Sequence, residues 1–160
     1  MADFSIHALT ESEREWVREF WRENWSGEIM IVRGRVFHGA ELPGFYAEID
    51  GQRVGLVTYH IDGDSCEIIS LDSLREGLGI GSALIEIVKQ KALDARCKRL
   101  WLITTNDNID ALRFYQKRGF ELAAVHRYAV NESRKIKPEI PLTGAYGIPL
   151  RDEIELEMRL

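Results

Sequence analysis

Cysteine is scarce in this 160-residue chain, which contains only Cys66 and Cys97. The two residues do not form a Cys-x-x-Cys pair, and no cluster of histidines lies near them in the sequence. This pattern argues against a zinc site, because zinc centres need closely spaced Cys and His ligands. We therefore predict that each cysteine is a small buried apolar side chain and that the protein uses no metal.

Long apolar runs are also missing. No stretch approaches the roughly 20 residues that a membrane-spanning helix requires. The N-terminal residues MADFSIHALTESERE lack the basic start and apolar core of a secretory signal. These absences predict a cytoplasmic protein that has no membrane partner.

An excess of positive charge is the third feature that the chain lacks. Lys and Arg number 21 against 26 Asp and Glu, so the net charge is -5, whereas a nucleic-acid-binding domain usually presents a basic face. We therefore expect no nucleic-acid partner. The length of 160 residues fits one domain that buries about two thirds of its unfolded surface, and we predict a single domain over residues 1–160.

Three alternating glycines, Gly77, Gly79 and Gly81, occur in LREGLGIGSALIEIV, residues 74–88. A Walker loop is excluded, because its last glycine is followed by Lys and Ser or Thr, whereas Gly81 is followed by Ser82. The dinucleotide fingerprint is excluded as well, because no glycine stands at its third position. Glycine nevertheless lets main-chain N–H groups approach a ligand closely.

The residues behind these glycines predict a helix that runs to about Ala95. Its apolar face comprises Ile80, Ala83, Leu84, Ile87 and Val88. The glycines would then lie at a helix N-terminus, where free N–H groups and the helix dipole favour a phosphate. A closely packed strand-to-helix turn without a ligand would use the same residues.

The rest of the chain predicts a mixed α/β protein of the α+β type, with a single central, mixed, mostly antiparallel sheet flanked by helices. Thr10 and Glu13 have the spacing of a capping box before an amphipathic helix. Three antiparallel strands follow in FYAEIDGQRVGLVTYHIDGDSCEIISL, before the glycine helix. The later elements are a strand in RLWLITT, a helix in NDNIDALRFYQKRGF capped by Asn108 or Asp107, a strand in ELAAVHRYAV, a loop over 131–152 and a last strand in EIELEMRL.

Two motifs together resemble the GNAT superfamily of acyl-CoA N-acyltransferases. The family's pyrophosphate motif, Arg/Gln-x-x-Gly-x-Gly/Ala, is similar to Glu76, Gly77, Leu78, Gly79, Ile80 and Gly81. A second motif, Asn-x-x-Ala followed by Phe-Tyr, Lys and Gly-Phe, is similar to Asn108, Ala111, Phe114, Tyr115, Lys117, Gly119 and Phe120. The element order is also similar over nearly all of the chain. The resemblance implies a GNAT-like fold and acetyl-CoA as the acyl donor.

One position departs from the family pattern. Glu76 occupies the place of the usual Arg or Gln, and arginine is displaced to Arg75. A carboxylate close to a pyrophosphate would repel it, so we expect Glu76 to face outward while its N–H still donates. We expect Arg75 to supply the cation.

The resemblance also implies which residues hold acetyl-CoA. The loop from Arg75 to Ser82 would bind the pyrophosphate, and the backbone of the preceding strand, from Ile69 to Leu71, would hold the pantetheine arm. Asn108 would face the CoA arm, although a plain helix cap would explain the same residue. Lys117 belongs to the same cofactor-binding set.

Tyr115 is the expected general acid, since a phenol with a pKa near ~10 stays protonated at neutral pH and can donate to the leaving sulfur. Its alternative role is packing beside Phe114. Glu67 is the expected general base, with a solvated surface glutamate as the alternative. His60 and Asp72 are the other candidates for the base.

The implied function is N-acetyl transfer, directly from acetyl-CoA to a primary amine of an unidentified small molecule or protein. A non-catalytic acyl-CoA-binding regulatory module is the alternative. Arg33 and Arg35 could contact an acidic acceptor or could be solvated surface residues. The loop over 131–152 could be a substrate lid or an oligomer contact such as that of a homodimer.

Overall fold

The computed structural model describes residues 3–160, which form nine strands and four α-helices. The strands are β1 (Ser5–Ala8), β2 (Ile29–Val32), β3 (Arg35–His38), β4 (Gly44–Ile49), β5 (Gln52–Asp62), β6 (Ser65–Ser73), β7 (Arg99–Thr105), β8 (Glu121–His126) and β9 (Glu153–Arg159). The helices are α1 (Arg14–Asn24), α2 (Ile80–Asp94), α3 (Ile109–Gln116) and α4 (Ala129–Ile136). Seven strands form a mostly antiparallel sheet, which confirms the predicted fold class.

The first of two structural units comprises the described residues up to Val17, Ala40–Leu100 and Arg159–Leu160. Within it, β1, β4, β5 and β6 are neighbours in that order, and each pair is antiparallel. Asp50 and Gly51 form the tight turn between β4 and β5, both with positive φ. Helix α2 packs on β4, β5 and β6, so the three predicted strands and the glycine helix form one core.

The second unit comprises Arg18–Gly39 and Trp101–Met158. In it β9 lies between β7 and β8. The separate hairpin of β2 and β3 turns at Arg33 and Gly34, whose φ values are +50° and +75°. The apolar interior of this unit is built from several elements and includes Trp21, Leu102, Phe120, Val130 and Leu156.

The predicted capping box is present at the start of the first helical segment. The Glu13 carboxylate accepts the Thr10 N–H at 2.8 Å, and Thr10 Oγ1 accepts the Ser12 N–H at 3.3 Å. A short 3₁₀ turn then leads into α1. Val17 and Trp21 on α1 are 1% and 0% exposed, which agrees with the amphipathic helix that the sequence predicts.

The C-terminal third contains the main error of the sequence prediction. Residues 129–136 form α4, where the sequence predicted the end of a strand and the start of a loop over 131–152. No side chain from Tyr128, the N-cap, caps this helix. Instead, Asp152 Oδ1 accepts the Tyr128 N–H at 2.9 Å. A cap supplied from such a distance along the chain leaves no local signal of the kind that marks most helix starts.

The short N-terminal strands were also not predicted. Strands β1, β2 and β3 have four residues each, which is too short for an alternating pattern to be distinguished from an irregular segment.

Candidate functional site

The glycine loop that follows β6 leads directly into α2. Gly77 and Gly79 adopt left-handed conformations with φ of +78° and +77°, a region that costs a residue with a Cβ about 1–2 kcal/mol. A Cβ placed on either glycine would meet no other atom within 4 Å. The loop therefore borders open space, and its glycines are needed for backbone conformation.

Gly79 is the N-cap of α2 and contributes no side chain to that helix end. The first turn, which includes Ile80, Gly81 and Ser82, contains no acidic residue. The first N–H groups of a helix have no intrahelical partner and lie at the positive end of its dipole. This helix end is therefore suited to donate main-chain hydrogen bonds to an anion such as a phosphate.

The position of this helix end is set by close packing on β5. A Cβ at Gly55 would lie 2.7 Å from Ile80 Cγ2 and 3.2 Å from Leu84 Cδ1, so only glycine lets α2 approach the strand so closely. The buried face of the helix is Ile80, Gly81, Leu84, Ile85, Val88 and Ala92. Ala83 and Ile87 from the predicted face are only half-buried.

The rest of the loop is tied to β5. Arg75 and Glu76 are exposed and Leu78 is half-buried. Arg75 Nη2 donates to Gln52 Oε1 at 3.2 Å. The first unit thus brings together all predicted loop residues from Arg75 to Ser82 at the N-terminus of α2.

Glu67 lies on β6, directly opposite His60 on β5. Its side chain is 2% exposed, so the alternative of a solvated surface glutamate is wrong. His60 and Asp72, the other candidate bases, are half-buried. A buried carboxylate must be matched by partners or lose its charge, which distinguishes Glu67 from an ordinary strand residue.

Strand β6 contains a bulge at its centre. Ser70 pairs with Thr58 and Ile68 pairs with Tyr59, so Ile69 is an extra residue without a partner on β5. The Thr58 and Ser70 hydroxyls lie 2.6 Å apart beside it. The pairing continues at Leu71, which lies opposite Val57. A bulge releases backbone groups from the ladder and redirects the neighbouring side chains.

Both cysteines are buried and free, as the sequence predicted. Burial, together with nearby Cys97 and Glu67, raises the pKa of the Cys66 thiol to about 12. Burial and Asp64 also raise the pKa of Cys97. Since the thiolate is the nucleophilic form, neither residue is suited to nucleophilic chemistry.

The remaining predicted site residues belong to the second unit and lie on α3 or at its ends. Asn108 is the N-cap, and its Oδ1 accepts the Ala111 N–H at 3.1 Å. Tyr115 is 8% exposed and makes edge contacts with Phe114 and Phe120, at centroid distances of 5.2 and 5.4 Å. Lys117 is the exposed C-cap. The capping role of Asn108 and the packing of Tyr115 are thus both present.

A polar cluster before α3 was missed in the sequence. Asn106 Oδ1 accepts the N–H groups of Arg151 and Asp152, at 3.0 and 2.9 Å, and Asp107 Oδ2 accepts the Ala145 N–H at 2.8 Å. Tyr146 donates to the Asp110 carboxylate. The run TNDN signals a helix cap, but nothing local signals that these side chains hold the segment before β9.

Arg35 and Glu153 occupy another part of the second unit. The Arg35 guanidinium lies over Phe37 and Trp101, 5.2 and 5.3 Å from their ring centroids. The Arg33 N–H contacts both carboxylate oxygens of Glu153 at 3.4 Å. Burial raises the pKa of Glu153, while the Arg33 N–H and the nearby cations oppose that shift. The sequence predicted neither contact.

Two negative findings apply to residues 3–160. No group of three or more His, Cys, Asp and Glu side chains is arranged to hold a metal ion. None of the helices combines the length and the apolar composition needed to cross a membrane.

Comparison with known proteins identifies sequence relatives that cover 90% of the chain or more. A model of the Acetyltransferase (GNAT) family matches residues 10–120. The uncharacterized protein YdhI of Bacillus subtilis is 47% identical over 145 residues, which are 90% of this chain and 91% of YdhI.

Two solved structures share the fold at low sequence identity. The IAA acetyltransferase from Bacillus cereus has a TM-score of 0.74 at 18% identity, over 99% of this chain and 100% of that one. A GNAT family acetyltransferase from Elizabethkingia anophelis, solved with acetyl-CoA bound, has a TM-score of 0.72 at 19% identity and covers both chains completely.

Proposed function

Because the chain belongs to the GNAT acetyltransferase family, we propose that it transfers an acetyl group directly from acetyl-CoA to a primary amine. The observation that carries the proposal is the N-terminus of α2, whose N-cap glycine supplies no side chain and whose loop, with two left-handed glycines, borders open space. The similar fold of the E. anophelis enzyme with bound acetyl-CoA supports acetyl-CoA as the cosubstrate.

The proposed cofactor contacts use main chain more than side chains. The loop from Arg75 to Ser82 donates N–H groups to the pyrophosphate, helped by the charge of Arg75. The backbone of β6 at Ile69 and Leu71 holds the pantetheine arm by strand-like hydrogen bonds, and the bulge at Ile69 favours this role. Asn108 and Lys117 contribute further contacts to CoA.

The proposed chemistry assigns one proton transfer to each of two side chains. The acceptor nitrogen forms a bond to the acetyl carbonyl carbon, and the carbon–sulfur bond of the thioester breaks. Glu67 accepts the proton that leaves the amine, through a water molecule, and Tyr115 donates its hydroxyl proton to the departing thiolate. The burial of Glu67, opposite His60 on the strand that precedes the glycine loop, favours this role over that of a solvated surface residue.

A single catalytic domain over residues 1–160 is part of the same proposal. The matched region, residues 10–120, includes residues of both structural units. YdhI has nearly the same length, since the aligned residues are 91% of it. The acceptor is an amine of a small molecule or a protein.

A non-catalytic acyl-CoA-binding module is the second candidate. The packing of Tyr115 against Phe114 and Phe120 favours it, because that packing explains the tyrosine ring without any chemistry. The two candidates differ in turnover, whereas both require binding of acetyl-CoA.

The test combines calorimetry with an acceptor panel. Wild-type protein is titrated with acetyl-CoA, and CoA thiol release is then followed with polyamines, aminoglycosides, amino acids and peptides with free N-termini. Saturable binding with acceptor-dependent thiol release supports the enzyme. Binding without turnover on any acceptor supports the regulatory module, and absence of binding contradicts both candidates.

A further inference from the structure

Arg75 is held at the beginning of the glycine loop by three contacts within the first unit. The Leu74 N–H donates to the Val54 carbonyl at 2.8 Å, and this bond extends the pairing between β5 and β6 by one residue. Ser73 Oγ donates to the carbonyl of Arg75 itself at 3.1 Å. Gln52 Oε1 accepts from Arg75 Nη2 at 3.2 Å. Both the backbone and the guanidinium of Arg75 are therefore positioned.

Gln52 has a well-defined place of its own. It is the first residue of β5 and pairs with Ile49 across the two-residue turn of Asp50 and Gly51. A turn of this length, with both residues at positive φ, sets the register of the hairpin. The amide of Gln52 thus extends from a short and rigid part of the chain.

The partner of Arg75 is neutral, so the full positive charge of the guanidinium remains. Within residues 3–160, no carboxylate pairs with Arg75. Other arginines of this unit are engaged differently: Arg14 pairs with Glu11 at 2.7 Å, and Arg53 lies over the Trp16 ring at 4.9 Å. A guanidinium has five N–H donors. Because Gln52 accepts from only one Arg75 nitrogen, donors remain for a phosphate.

We propose that Gln52 is a positioning residue that holds the Arg75 guanidinium for the pyrophosphate of acetyl-CoA. This inference rests on the proposed function. Arg75 lies two residues before Gly77, the first left-handed glycine of the loop, which favours the pyrophosphate over the 3′-phosphate of CoA. A side chain held in place loses less conformational entropy on binding, so Gln52 strengthens the contact without touching the ligand.

Four variants test the inference by calorimetry with acetyl-CoA. Arg75→Ala should weaken binding about 10-fold through the loss of a charge-assisted hydrogen bond, and Gln52→Ala about 3-fold through the loss of pre-organisation. Gln52→Glu should weaken binding about 10-fold, because the new carboxylate neutralises Arg75. The double variant Gln52→Ala/Arg75→Ala should bind no more weakly than Arg75→Ala alone, since Gln52 acts only through Arg75.

The control for the added charge is Gln90→Glu, which changes an exposed residue in the second half of α2 and should leave the affinity at the wild-type value. Thermal unfolding of each variant checks that it is folded. All substituted side chains are exposed, so little stability should be lost.

Titration with 3′-dephospho-CoA identifies the phosphate that Arg75 contacts. The effects should persist with this ligand, because it retains the pyrophosphate. Effects that disappear would assign Arg75 to the 3′-phosphate and overturn the inference. Wild-type affinity in Gln52→Ala, or additive losses in the double variant, would overturn it while the proposed function stands. Failure of the wild-type protein to bind acetyl-CoA would reject both.

Discussion

Two strand-to-helix turns of this protein are built in opposite ways. The turn from β6 to α2 relies on backbone conformation, with left-handed Gly77 and Gly79 and no side-chain cap. The turn from β7 to α3 relies on side chains, because Asn108 caps the helix. Asn106 and Asp107 accept N–H groups from the segment that precedes β9.

The difference decides what each helix end is available for. At α3, the chain satisfies its own N–H groups, and the fit is close: a Cβ on Gly144 would lie 2.1 Å from Asp107 Oδ2. At α2, a Cβ on either loop glycine would meet nothing. A helix start that is filled by the chain itself stabilises the fold, whereas one whose N-cap glycine supplies no side chain is suited to donate N–H groups to an external anion.

The largest expected effect on acetyl-CoA binding comes from adding a side chain to the glycine loop between β6 and α2. Gly79→Asp should weaken acetyl-CoA binding about 1,000-fold, since a carboxylate about 4 Å from a phosphate costs about 4 kcal/mol near a protein surface. The matched control is Gly63→Asp, because Gly63 also has positive φ and open space around its Cβ position. Calorimetry should show wild-type affinity for the control. Equal losses in the two variants would contradict the assignment of the glycine loop as the phosphate-binding site.

The second prediction concerns Tyr115 on α3, the helix that Asn108 caps. Tyr115→Phe should lower kcat about 100-fold if the hydroxyl is the proton donor. The ring contacts with Phe114 and Phe120 should keep the melting temperature close to wild type. Tyr146→Phe removes an exposed hydroxyl that donates to Asp110 and should not change kcat. Loss of stability with normal turnover in Tyr115→Phe would favour a packing role.

A smaller kinetic effect is expected for substitution of Glu67 on β6, the strand that precedes the glycine loop. Glu67→Gln should lower kcat/KM roughly 10-fold at neutral pH, since bound water can replace part of the base. It should also remove the acid-side limb of the pH profile. Two acceptors of different basicity identify the source of that limb, because a limb due to the substrate amine would persist and shift with the acceptor. An unchanged profile would direct attention to His60 and Asp72.

The cap of α3 allows a prediction about stability. Asn108→Ala should lower the free energy of unfolding by about 1 kcal/mol, the usual cost of a lost N-cap. Asn108→Asp keeps the oxygen that accepts the Ala111 N–H and should retain that stability. If the amide NH₂ of Asn108 also contacts CoA, Asn108→Asp will bind acetyl-CoA more weakly. Chemical denaturation and calorimetry measure the two effects separately.

The smallest expected effect is a pH dependence of the folding stability that Asp152 contributes. Asp152 lies in the segment before β9, where its N–H is bound by Asn106. Hydrogen bonds from Arg151 and from the Tyr128 N–H hold the pKa of Asp152 below its ordinary value, against an opposing effect of burial. Asp152 therefore stabilises the fold above the unfolded-state pKa of about 4, and this contribution is lost as the pH falls through its lower folded value. Asp152→Asn should be less stable than wild type at pH 7, with the difference shrinking at pH 3. An equal difference at both pH values would contradict this sign.

The sequence alone was sufficient for the elements whose determinants are close together along the chain. The capping box of Thr10 and Glu13, the Asp50–Gly51 turn and the Asn108 cap each depend on residues no more than three positions apart. The apolar periodicity of α1 and α2 depends on spacings of three and four. The glycine motif and the motif from Asn108 to Phe120 together also led to the correct family, because the spacing within each motif is local.

Only the tertiary structure decided the features that join distant parts of the chain. The start of α4 depends on Asp152, and the segment before β9 depends on Asn106 and Asp107. The burial of Glu67 depends on the core around β6, and the position of Arg75 depends on Gln52. These contacts join residues 23 to 46 positions apart, or arise from burial. Sequence patterns encode helical and strand periodicity and short turns, whereas long-range pairing is determined by how the elements pack.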